Sequence, residues 1–445
     1  MKTLPLLLSL GLAACAAYPY TPPALAPVTR PIGPSPTAAP SLAPTAAPSG
    51  STSSAVEQRA PVTILISIDG FRPDYLDRGV TPNLNRLKAA GVSASMRPSF
   101  PSKTFPNHWT LVTGLVPDRH GIVGNTMEDP ARPGELFKLA TTDPFWWNAA
   151  EPLWVTAERA GIRTATEFWP GASVAWGSSA SADRHGVTPG GTRPSDWHAF
   201  DANISDDARV DAVLDWMRRP ASARPGFVTL YFDQVDSAGH DEGPDGAGVT
   251  RAAAAVDASI GRLTAGLAAM GQPANLVIVA DHGMAATSSD RVIALDRIAD
   301  PADYRTVETG PYASLQPQPV HEAALAAALG RPHAHMTCWT KAAIPARLHY
   351  GRNPRVPAWL CLADDGWQVR ATAPTTAFTQ GEHGYDNALP SMRALFIAQG
   401  PAFERGKRLP DFDNVDVAPL LRDLLGLPPG RGLDGTDAPF RKVLK

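Results

Sequence analysis

The segment that decides the fold is VTILISIDG, Val62–Gly70, an apolar run of strand length that ends in an acidic residue and a glycine. Two later runs have the same character, FVTLYF at Phe227–Phe232 and LVIVA at Leu276–Ala280. Because their hydrophobicity is continuous rather than alternating, we expect each strand to be buried on both faces, as in a parallel sheet. The sequence therefore predicts an α/β fold with a mostly parallel central sheet and helices on both faces.

Helix signals separate these runs. Thr81-Pro82 is typical of a helix start and Gly91 of its end. An alanine-rich segment predicts another helix at about residues 249–270. The alternation of strand and helix supports the parallel arrangement, since parallel neighbours need crossover connections.

The composition fits a large folded domain and excludes several classes of protein. The chain has 445 residues, of which 44% are hydrophobic, so there is ample material for a core. Lys+Arg 40 against Asp+Glu 43 gives a formal net charge of -3. Without a basic surplus, the chain is not expected to bind polymeric nucleic acid.

The N-terminus has the pattern of an export signal. Lys2 precedes an apolar run from Leu4 to Leu12, which is too short to span a bilayer. Because LAAC at residues 12–15 resembles a bacterial lipobox, residues 1–14 are predicted to be a lipoprotein-type signal peptide and Cys15 the lipidated residue. The alternative is an ordinary signal peptide cleaved nearby, with Cys15 incidental.

Residues 15–59 are predicted to be a tether, and residues 60–445 the folded catalytic domain. The tether is rich in Pro, Ala, Thr and Ser, a composition that cannot bury a core and favours extended polyproline-like conformations. An anchor followed by a tether predicts an exported, periplasmic protein attached to the bacterial outer membrane. The only expected membrane contact is through the lipid on Cys15.

Cysteine usage agrees with export. After Cys15, the chain contains only Cys338 and Cys361. In an oxidising compartment these two residues can form a disulfide. Two separate buried thiols are the alternative, and the sequence does not decide between the two arrangements.

Acidic and imidazole side chains follow each apolar run. A single carboxylate after a strand is usually a helix cap, but several at one edge of a parallel sheet indicate a ligand site. Crowded carboxylates repel one another unless a divalent cation lies between them. Mixed Asp and His ligands favour zinc, with manganese or iron as the less favoured alternatives, and disfavour calcium and magnesium. The candidate ligands are sufficient for two metal ions: Asp69, Asp233 or Asp236, His240, Asp281, His282 and His383.

The candidate nucleophile is Thr104. Pro106 suits the first turn of a helix and Gly114 its end, which would place Thr104 at the helix start, where free N–H groups attract an anion. Beside a metal ion, its hydroxyl could attack phosphorus. A simple N-cap is the alternative role for Thr104, and Ser102 is the rival hydroxyl.

Short motifs occur along the chain in a recognisable order. They are ISIDGFR at 66–72, KTFPNH at 103–108, HGIVGN at 120–125, DSAGH at 236–240, DHGM at 281–284 and HGYDN at 383–387. In this order they resemble the nucleotide pyrophosphatase/phosphodiesterase family of the alkaline phosphatase superfamily. The resemblance extends from about Val62 to Leu425 and implies an alkaline-phosphatase-like fold.

The resemblance also implies roles for individual residues. One zinc would be held by Asp236, His240 and His383, and the other by Asp69, Thr104, Asp281 and His282. Asn125, together with a backbone amide near Thr104, resembles the group that binds a nonbridging phosphoryl oxygen; a plain turn residue is the alternative. One departure is Gln234-Val235, where many relatives carry an acidic residue and proline, and it concerns the path of the loop.

The activity implied by the resemblance is that of a two-zinc hydrolase. Such an enzyme cleaves nucleotide phosphodiester and pyrophosphate bonds through a threonine-bound nucleotidyl intermediate and releases nucleoside 5′-monophosphates. Phe105 and Tyr231 resemble the pair that sandwiches a nucleobase, with core packing as the alternative. The other functions considered are a phosphomonoesterase or choline-lipid phosphodiesterase on the same scaffold, and a non-catalytic surface lipoprotein.

A final segment, about residues 291–379, is predicted to be an insert that forms a small lid or subdomain over the sheet edge. It is rich in Pro and Trp and lacks clear metal-ligand spacing. His333 and His335 alternate in the manner of metal ligands, but a lid or surface role is the favoured interpretation.

Overall fold

The computed structural model describes residues 58–178 and 190–445. The predicted signal peptide at residues 1–14, Cys15 and nearly all of the predicted tether at 15–59 lie outside the described residues. Those assignments therefore stay predictions.

The described residues form short strands and helices in alternation along the chain. The strands are β1 Val62–Ile68, β2 Val92–Arg97, β3 Met127–Glu128, β4 Leu136–Phe137, β5 Thr164–Glu167, β6 Asp196–His198, β7 Phe227–Phe232, β8 Ala274–Val279, β9 Ala285–Ser288, β10 Val292–Ala294, β11 Tyr304–Glu308, β12 Tyr312–Pro317, β13 Met336–Thr340, β14 Trp359–Ala363, β15 Gln368–Arg370, β16 Thr379–Glu382, β17 Ala394–Gln399, β18 Lys407–Arg408 and β19 Phe412–Asp413. The α-helices are α1 Pro82–Ala90, α2 Thr104–Thr113, α3 Pro117–His120, α4 Pro144–Trp147, α5 Leu153–Arg159, α6 Asp206–Arg218, α7 Gln234–Glu242, α8 Ala247–Ala269, α9 Glu322–Leu329 and α10 Val417–Leu424. Short 3-10 helices occupy Pro73–Arg78, Ala221–Ala223, Leu295–Arg297, Pro301–Asp303, Lys341–Ala343, Ala346–Leu348, Pro390–Met392 and Asn414–Asp416.

The central sheet is mostly parallel, as predicted. Within the described residues it has nine strands, in the order β18-β2-β17-β8-β1-β7-β5-β6, with β19 also paired to β2. β1 pairs in parallel with β7 on one side and β8 on the other, and β5 pairs in parallel with β7 and β6. β17 runs antiparallel between β8 and β2. The helices pack around this sheet, which confirms the predicted fold class.

The buried position of β1 explains its composition. Every residue of β1 and of β7 is buried, as expected for apolar runs that face helices on both sides of a sheet. Ser67 on β1 lies opposite Tyr231 on β7 and Val279 on β8. The three strands therefore end at the same level, and the loops that follow them share one edge of the sheet.

The helices agree with their sequence signals to within about two residues. α1 begins after Thr81 and ends before Gly91, as the Thr-Pro and Gly signals predict. The alanine-rich helix α8 has a buried face that includes Val256, Ile260 and Leu263, spaced at three to four residues. This face packs α8 into the layer formed by α1, α6 and α7.

A second sheet lies within residues 291–379, the range of the predicted insert. It is antiparallel, in the order β11-β12-β14-β13. Its inner face packs with α9 in a separate small core that includes Leu315, Leu325 and Leu329. After this sheet, β16 pairs with β9 and returns the chain to the edge of the central sheet.

Cys338 and Cys361 form a disulfide in this second sheet. They are directly opposed on β13 and β14, so the strand register brings the two Cα atoms to 3.9 Å. Of the two arrangements that the sequence left open, pairing is the one adopted.

In residues 58–178 and 190–445, no helix has both the length and the apolar character that a membrane crossing requires.

Candidate active site

The ends of β1, β7 and β8 bring acidic and imidazole side chains together. Asp69 follows β1 directly, and its backbone N–H donates to the carbonyl of Phe232 at the end of β7, at 2.9 Å. Asp281 and His282 follow β8, while α7 begins just after β7 and carries the remaining acidic group. The shared sheet edge thus collects ligands from three strands, as the sequence predicts.

Asp236, His240 and His383 form the first group that could hold a metal ion, with ligand atoms all within 4.8 Å of one another. Because α7 places residues four apart on one face, Asp236 and His240 meet, with Nε2 of His240 at 3.4 Å from the carboxylate. Nε2 of His383 lies 3.7 Å from the other oxygen of Asp236. The loop after β16 therefore completes a group begun by α7.

Asp69, Asp236 and His282 form the second group, also within 4.8 Å. Nε2 of His282 lies 3.3 Å from Oδ1 of Asp69 and 2.9 Å from Oδ2 of Asp281. The hydroxyl of Thr104 lies 3.2 Å from the same nitrogen. The structure thus brings Asp69, Thr104, Asp281 and His282 together, with Asp236 shared between the two groups.

Backbone carbonyls orient all three ligand histidines. Nδ1 of His240 donates to Gly381 O at 3.0 Å, and Nδ1 of His383 donates to Ser102 O at 2.9 Å. Nδ1 of His282 donates to Gly283 O at 2.9 Å. Since Nδ1 donates in each ring, Nε2 points at the carboxylates and could offer its lone pair to a bound cation. A divalent cation between these ligand atoms would replace the protons that they otherwise share.

The carboxylates of the two groups also lack partners for some of their oxygen atoms. Of the residues described, Asp69 Oδ1, Asp236 Oδ1 and Asp281 Oδ2 are buried side-chain oxygens with no hydrogen-bond partner. Burial raises the pKa of Asp69 well above its usual value, and the nearby Asp281 adds to this shift. Burial and then Asp236 raise the pKa of Asp281 to about 8. A divalent cation would supply the missing partner, so the residues present fit a metal centre.

A third group, Asp69, His108 and Asp281, also satisfies the 4.8 Å spacing. In this group the imidazole is already engaged, because Nδ1 of His108 donates to Thr104 O at 2.9 Å and Nε2 accepts from Ser67 at 2.8 Å. Burial lowers the pKa of His108 to about 3, so the ring is neutral. We therefore interpret His108 as a support for the Thr104 backbone.

The structure separates the two candidate nucleophiles. Thr104 is the first residue of α2, and Lys103 occupies the N-cap position. The N-cap alternative for Thr104 is therefore wrong, and its hydroxyl faces His282 instead. Ser102 is fully buried and its hydroxyl donates to the carbonyl of Tyr385 at 3.1 Å. Thr104 is the hydroxyl that adjoins the candidate metal ligands.

Asn125 lies beside the start of α2. Its Oδ1 accepts from the backbone N–H of Phe105 at 3.0 Å. Because the oxygen is held by this bond, the NH₂ group of Asn125 points away from Phe105 and is available as a donor. The backbone N–H of Phe105 is occupied by this bond, so the prediction that Asn125 and a backbone amide near Thr104 together bind a phosphoryl oxygen stays a prediction.

An aromatic cavity of about 590 Å³ opens onto Thr104. Phe105 and Tyr231 both line it, and the hydroxyl of Tyr231 donates to Asp69 Oδ2 at 2.7 Å. Phe200 contributes a more accessible ring, with 52% of its surface exposed. The other aromatic lining residues are Trp147, Phe168 and Trp169. Sequence reasoning missed these rings because they come from the short helix α4 and from loops, none of which has a local motif.

Sequence reasoning also missed a set of charged residues beside the first metal group. Nζ of Lys103 lies 3.3 Å from Oε2 of Glu382, whose other oxygen is 3.4 Å from Nδ1 of His240. Glu308 on β11 also faces this lysine and accepts a hydrogen bond from Tyr312. The adjacency of Lys103 to Thr104 and of Glu382 to His383 was a usable signal, whereas nothing near Glu308 indicated its position.

These charges shift one another's pKa values. Burial opposes the charge on Glu382, but the ammonium group of Lys103 outweighs it and lowers the pKa of Glu382 to about 2. Burial lowers the pKa of His240, yet the hydrogen bond with Glu382 and the charge of Asp236 raise it overall to about 9. The ion pair between Lys103 and Glu382 therefore changes the charge around His240, one of the candidate metal ligands.

The two alternating histidines lie elsewhere. His335 is half-exposed at the end of the loop before β13, 3.2 Å from the carboxylate of Asp364, and stacks on Trp367 at 3.7 Å. In the portion of the chain that the structure covers, neither His333 nor His335 belongs to a group that could hold a metal.

Fold and site together define an α/β protein of the alkaline-phosphatase type, with a candidate divalent-metal centre and an adjacent hydroxyl at the sheet edge. The chain belongs to the type I phosphodiesterase / nucleotide pyrophosphatase family, whose model matches residues 63–386.

Individual relatives agree with this assignment. Ectonucleotide pyrophosphatase/phosphodiesterase family member 1 of Mus musculus is 35% identical over 406 residues, covering 87% of this chain and 43% of that protein. Bis(5′-adenosyl)-triphosphatase of Xenopus laevis is 36% identical over 375 residues, covering 82% of this chain and 78% of that protein. The chain thus spans less than half the length of the first relative.

A solved structure matches the fold. It is murine ectonucleotide pyrophosphatase / phosphodiesterase 5, an inactive threonine-to-alanine variant in complex with AMP. The TM-score is 0.80 at 32% identity, and the match covers 87% of this chain and 100% of that one.

Proposed function

We propose that this protein is a two-zinc hydrolase that cleaves nucleotide phosphodiester and pyrophosphate bonds and releases nucleoside 5′-monophosphates. The observation that carries the proposal is the set of orphaned carboxylate oxygens and histidine Nε2 atoms at the sheet edge, with His282 beside the hydroxyl of Thr104. Oxygen and imidazole ligands in this mixture favour zinc.

Two zinc sites account for the ligand set. Asp236, His240 and His383 would hold one ion, and Asp69, Thr104, Asp281 and His282 the other. When bound, the ions would supply Lewis-acid charge that neutralises the phosphoryl oxygens and favours ionised oxygen nucleophiles at neutral pH.

Thr104 carries the first chemical step. Its Oγ1 attacks phosphorus in line, the new Oγ1–P bond forms as the bond to the leaving oxygen breaks, and the hydroxyl proton passes through solvent to the departing oxygen. The NH₂ group of Asn125 donates to a nonbridging oxygen, where negative charge accumulates in the transition state. The product of this step is a nucleotidyl ester of Thr104.

Water completes the reaction. It attacks the phosphorus of the threonine ester from the side that the leaving group vacated, and the Oγ1–P bond breaks. Thr104 regains its proton and the nucleoside 5′-monophosphate is released. Two inversions give net retention of configuration at phosphorus.

The aromatic cavity supports a nucleotide as the substrate. A nucleoside attached to the phosphoryl group at Thr104 can extend into the cavity, where Phe105 and Tyr231 offer apolar surfaces to the base. Stacking of a base on such rings is worth about 1–3 kcal/mol and tolerates different bases. The AMP complex and the bis(5′-adenosyl)-triphosphatase among the relatives support the same class of substrate.

We also propose that the chain is exported and held at the periplasmic face of the outer membrane through lipid on Cys15. The support is the N-terminal sequence, together with the disulfide between Cys338 and Cys361, which suits an oxidising compartment. Mass spectrometry of the membrane-extracted protein, before and after Cys15→Ala, measures the lipid directly.

A substrate panel tests the activity. The zinc-loaded protein is assayed with the p-nitrophenyl ester of thymidine 5′-monophosphate, dinucleoside polyphosphates, p-nitrophenyl phosphate and a choline phospholipid, and the products are identified by chromatography. We expect 5′-monophosphates from the first two and at least about 100-fold lower kcat/KM for the others. Preferential hydrolysis of the monoester or the lipid would overturn the proposal.

A further inference from the structure

Positively charged side chains gather at the amino ends of the central strands. Lys407 on β18 pairs with Val92, the first residue of β2. Since β17 runs antiparallel to both β2 and β8, β2 runs in the same direction as β8 and β1. The candidate metal ligands follow the carboxyl ends of β1 and β8. Lys407 therefore lies at the edge of the sheet opposite the candidate active site.

Five exposed or half-buried cations define this surface, which we call the basic edge: Lys88, Arg405, Lys407, Arg408 and Lys442. Backbone hydrogen bonds bring their segments together. The N–H of Lys407 donates to Gly91 O at 3.1 Å, just after the end of α1, and the N–H of Glu404 donates to Val443 O at 2.8 Å. Lys88 and Arg408 also line one cleft of about 400 Å³.

The neighbouring carboxylates do not neutralise the basic edge. Three of them are already paired with other arginines: Asp74 with Arg72, Asp411 with Arg393 and Asp437 with Arg441. Against the five cations stand Asp77, which lines the same cleft, and Glu404, which precedes Arg405. Within residues 58–178 and 190–445, none of the five cations belongs to an ion pair. The surface thus has excess positive charge, although the chain has a formal net charge of -3.

Helix stabilisation does not account for this surface. Lys88 lies in the last turn of α1, where the helix dipole favours a cation. The other four cations belong to no helix in the part of the chain that the structure describes. Their charge is therefore available to a partner.

The chain enters the central sheet at the same edge. Val62 begins β1 and lies opposite Ala274, the first residue of β8. The N–H of Ala402 donates to Oδ1 of Asn275 at 3.0 Å, so the segment that leads to Arg405 packs against the start of β8. The predicted tether thus joins the domain beside the basic edge. An anchor on the tether would confine this edge near lipid and raise the effective concentration of the two partners.

We propose that the basic edge docks on an anionic phospholipid surface and leaves the candidate active site facing solution. Each Lys or Arg near such a surface strengthens binding about fivefold, so a few weak contacts suffice for a domain that an anchor already confines. The inference goes beyond the proposed activity and draws on the proposed anchoring only for the source of the lipid. Soluble nucleotides then reach Thr104, whereas the phosphodiester groups of the docked bilayer do not.

Vesicle binding tests the docking. The full chain with Cys15→Ala, which has no site for lipid attachment, is mixed with vesicles of phosphatidylcholine alone or of phosphatidylethanolamine with about 30% phosphatidylglycerol, and bound protein is measured by flotation. We expect the partition coefficient to be at least about 20-fold higher on the anionic vesicles. Because salt screens charges, raising NaCl from about 0.05 to 0.5 M should remove most of this preference.

Two triple variants in the same Cys15→Ala chain assign the binding to the basic edge. Arg405→Gln with Lys407→Gln and Arg408→Gln should lower the partition coefficient on anionic vesicles at least about 20-fold. The control, Arg297→Gln with Arg331→Gln and Arg352→Gln, removes the same charge from exposed positions outside the basic edge and should change it less than about threefold. Both variants should hydrolyse the thymidine aryl ester within about twofold of the parent chain, which shows that they are folded.

Lysine acetylation measures the orientation of the bound protein. On anionic vesicles, Lys407 and Lys442 should react at least about fivefold more slowly than in solution, because the lipid covers them. Lys138 is exposed and directly precedes Leu139, which lines the aromatic cavity. Its reactivity should stay unchanged. Protection of Lys138 instead would place the candidate active site against the membrane and overturn the proposal.

The docking and the proposed function fail on different measurements. A wild-type edge without preference for anionic vesicles, or an equal loss of binding in both triple variants, refutes the docking. The activity fails only if the aryl ester yields no thymidine 5′-monophosphate. The anchoring fails only if mass spectrometry finds no lipid on Cys15, and the vesicle measurements do not depend on that lipid.

Discussion

The edge of the central sheet and the second, antiparallel sheet satisfy their polar groups in opposite ways. At the edge, buried carboxylate oxygens of Asp69, Asp236 and Asp281 lack hydrogen-bond partners. In the second sheet, Cys338 and Cys361 form a disulfide and Glu308 accepts from Tyr312. The first region is complete only with a cation, while the second is closed by its own covalent and hydrogen bonds. Chemistry is therefore expected at the first region.

Replacing the candidate nucleophile at the edge of the central sheet should cause the largest loss of activity. Thr104→Ala removes the attacking hydroxyl, so we expect kcat to fall by at least about 10³-fold. The remaining protein ligands should keep the metal content near two per chain, measured by atomic emission.

Ser102→Ala is the control for Thr104→Ala. It removes a buried hydroxyl that bonds to Tyr385, so it should cost about 1 kcal/mol of stability and leave most of the activity. If the serine variant were inactive and the threonine variant active, the assignment of the nucleophile would be reversed.

Removing the metal should destabilise the edge of the central sheet, where the carboxylates lack other partners. An ion present at about 1,000 times its Kd stabilises the folded state by about 4 kcal/mol, so EDTA should lower the Tm by several degrees. Activity should disappear with the metal and return with zinc. An active preparation shown to be free of metal would contradict the whole scheme.

The stability of the metal-free protein should depend on pH, and this dependence tests the carboxylates at the sheet edge separately. Burial, followed by the charge of Asp236, raises the pKa of Asp281 to about 8 from an ordinary 3.8, so the folded state holds this proton more tightly than the unfolded state. The stability associated with the proton is present at low pH and is lost as the pH rises through about 8. The Tm without metal should therefore fall between about pH 5 and pH 8, and zinc should abolish the fall.

Breaking the disulfide should affect the second sheet alone. Cys338→Ser with Cys361→Ser opens a crosslink between residues separated by 23 positions, which should cost about 3 kcal/mol of unfolding free energy in denaturant titrations. We expect kcat to stay within about twofold of wild type. A reductant should destabilise the wild type and leave the double variant unchanged; an equal effect on both would exclude the disulfide as its target.

The smallest expected effect concerns the aromatic cavity. Phe105→Ala removes a ring that lines the cavity, so KM for the thymidine aryl ester should rise by about 5- to 150-fold, reflecting about 1–3 kcal/mol of stacking. KM for bis(p-nitrophenyl) phosphate, which has no base, should change much less.

Phe137→Ala serves as the comparison for Phe105→Ala. Phe137 contacts the ring of Phe105 at 6.1 Å between centroids and is fully buried. Its loss should lower stability without separating the two substrates. Equal changes in KM for both substrates in Phe105→Ala would remove the stacking role.

Much of the fold and the ligand set was predictable because the signals are local. An apolar run such as Val62–Ile68 can only be satisfied by burial on both faces, and parallel strands place their carboxyl ends at one edge. Asp69, Asp236 and Asp281 each follow such a strand closely. Their meeting follows from the sheet's polarity, without knowledge of side-chain contacts.

Other features depended on contacts between distant segments. The choice between Ser102 and Thr104 depends on a carbonyl of Tyr385 and an imidazole of His282. The approach of Glu308 to Lys103 joins two sheets whose relation no local pattern indicates. The hydroxyl of Tyr231 reaches Asp69 because β1 and β7 pair in one register.

The sequence by itself determined the central strands, their burial on both faces and the types of ligand at their ends, because an apolar run and the residues that follow it are properties of a short stretch of chain. Only the tertiary structure decided which hydroxyl faces the ligands, which nitrogen of each histidine is free, and whether Cys338 meets Cys361. Those outcomes require distances of about 3 Å between residues far apart in sequence, and such distances are set by packing of the whole domain.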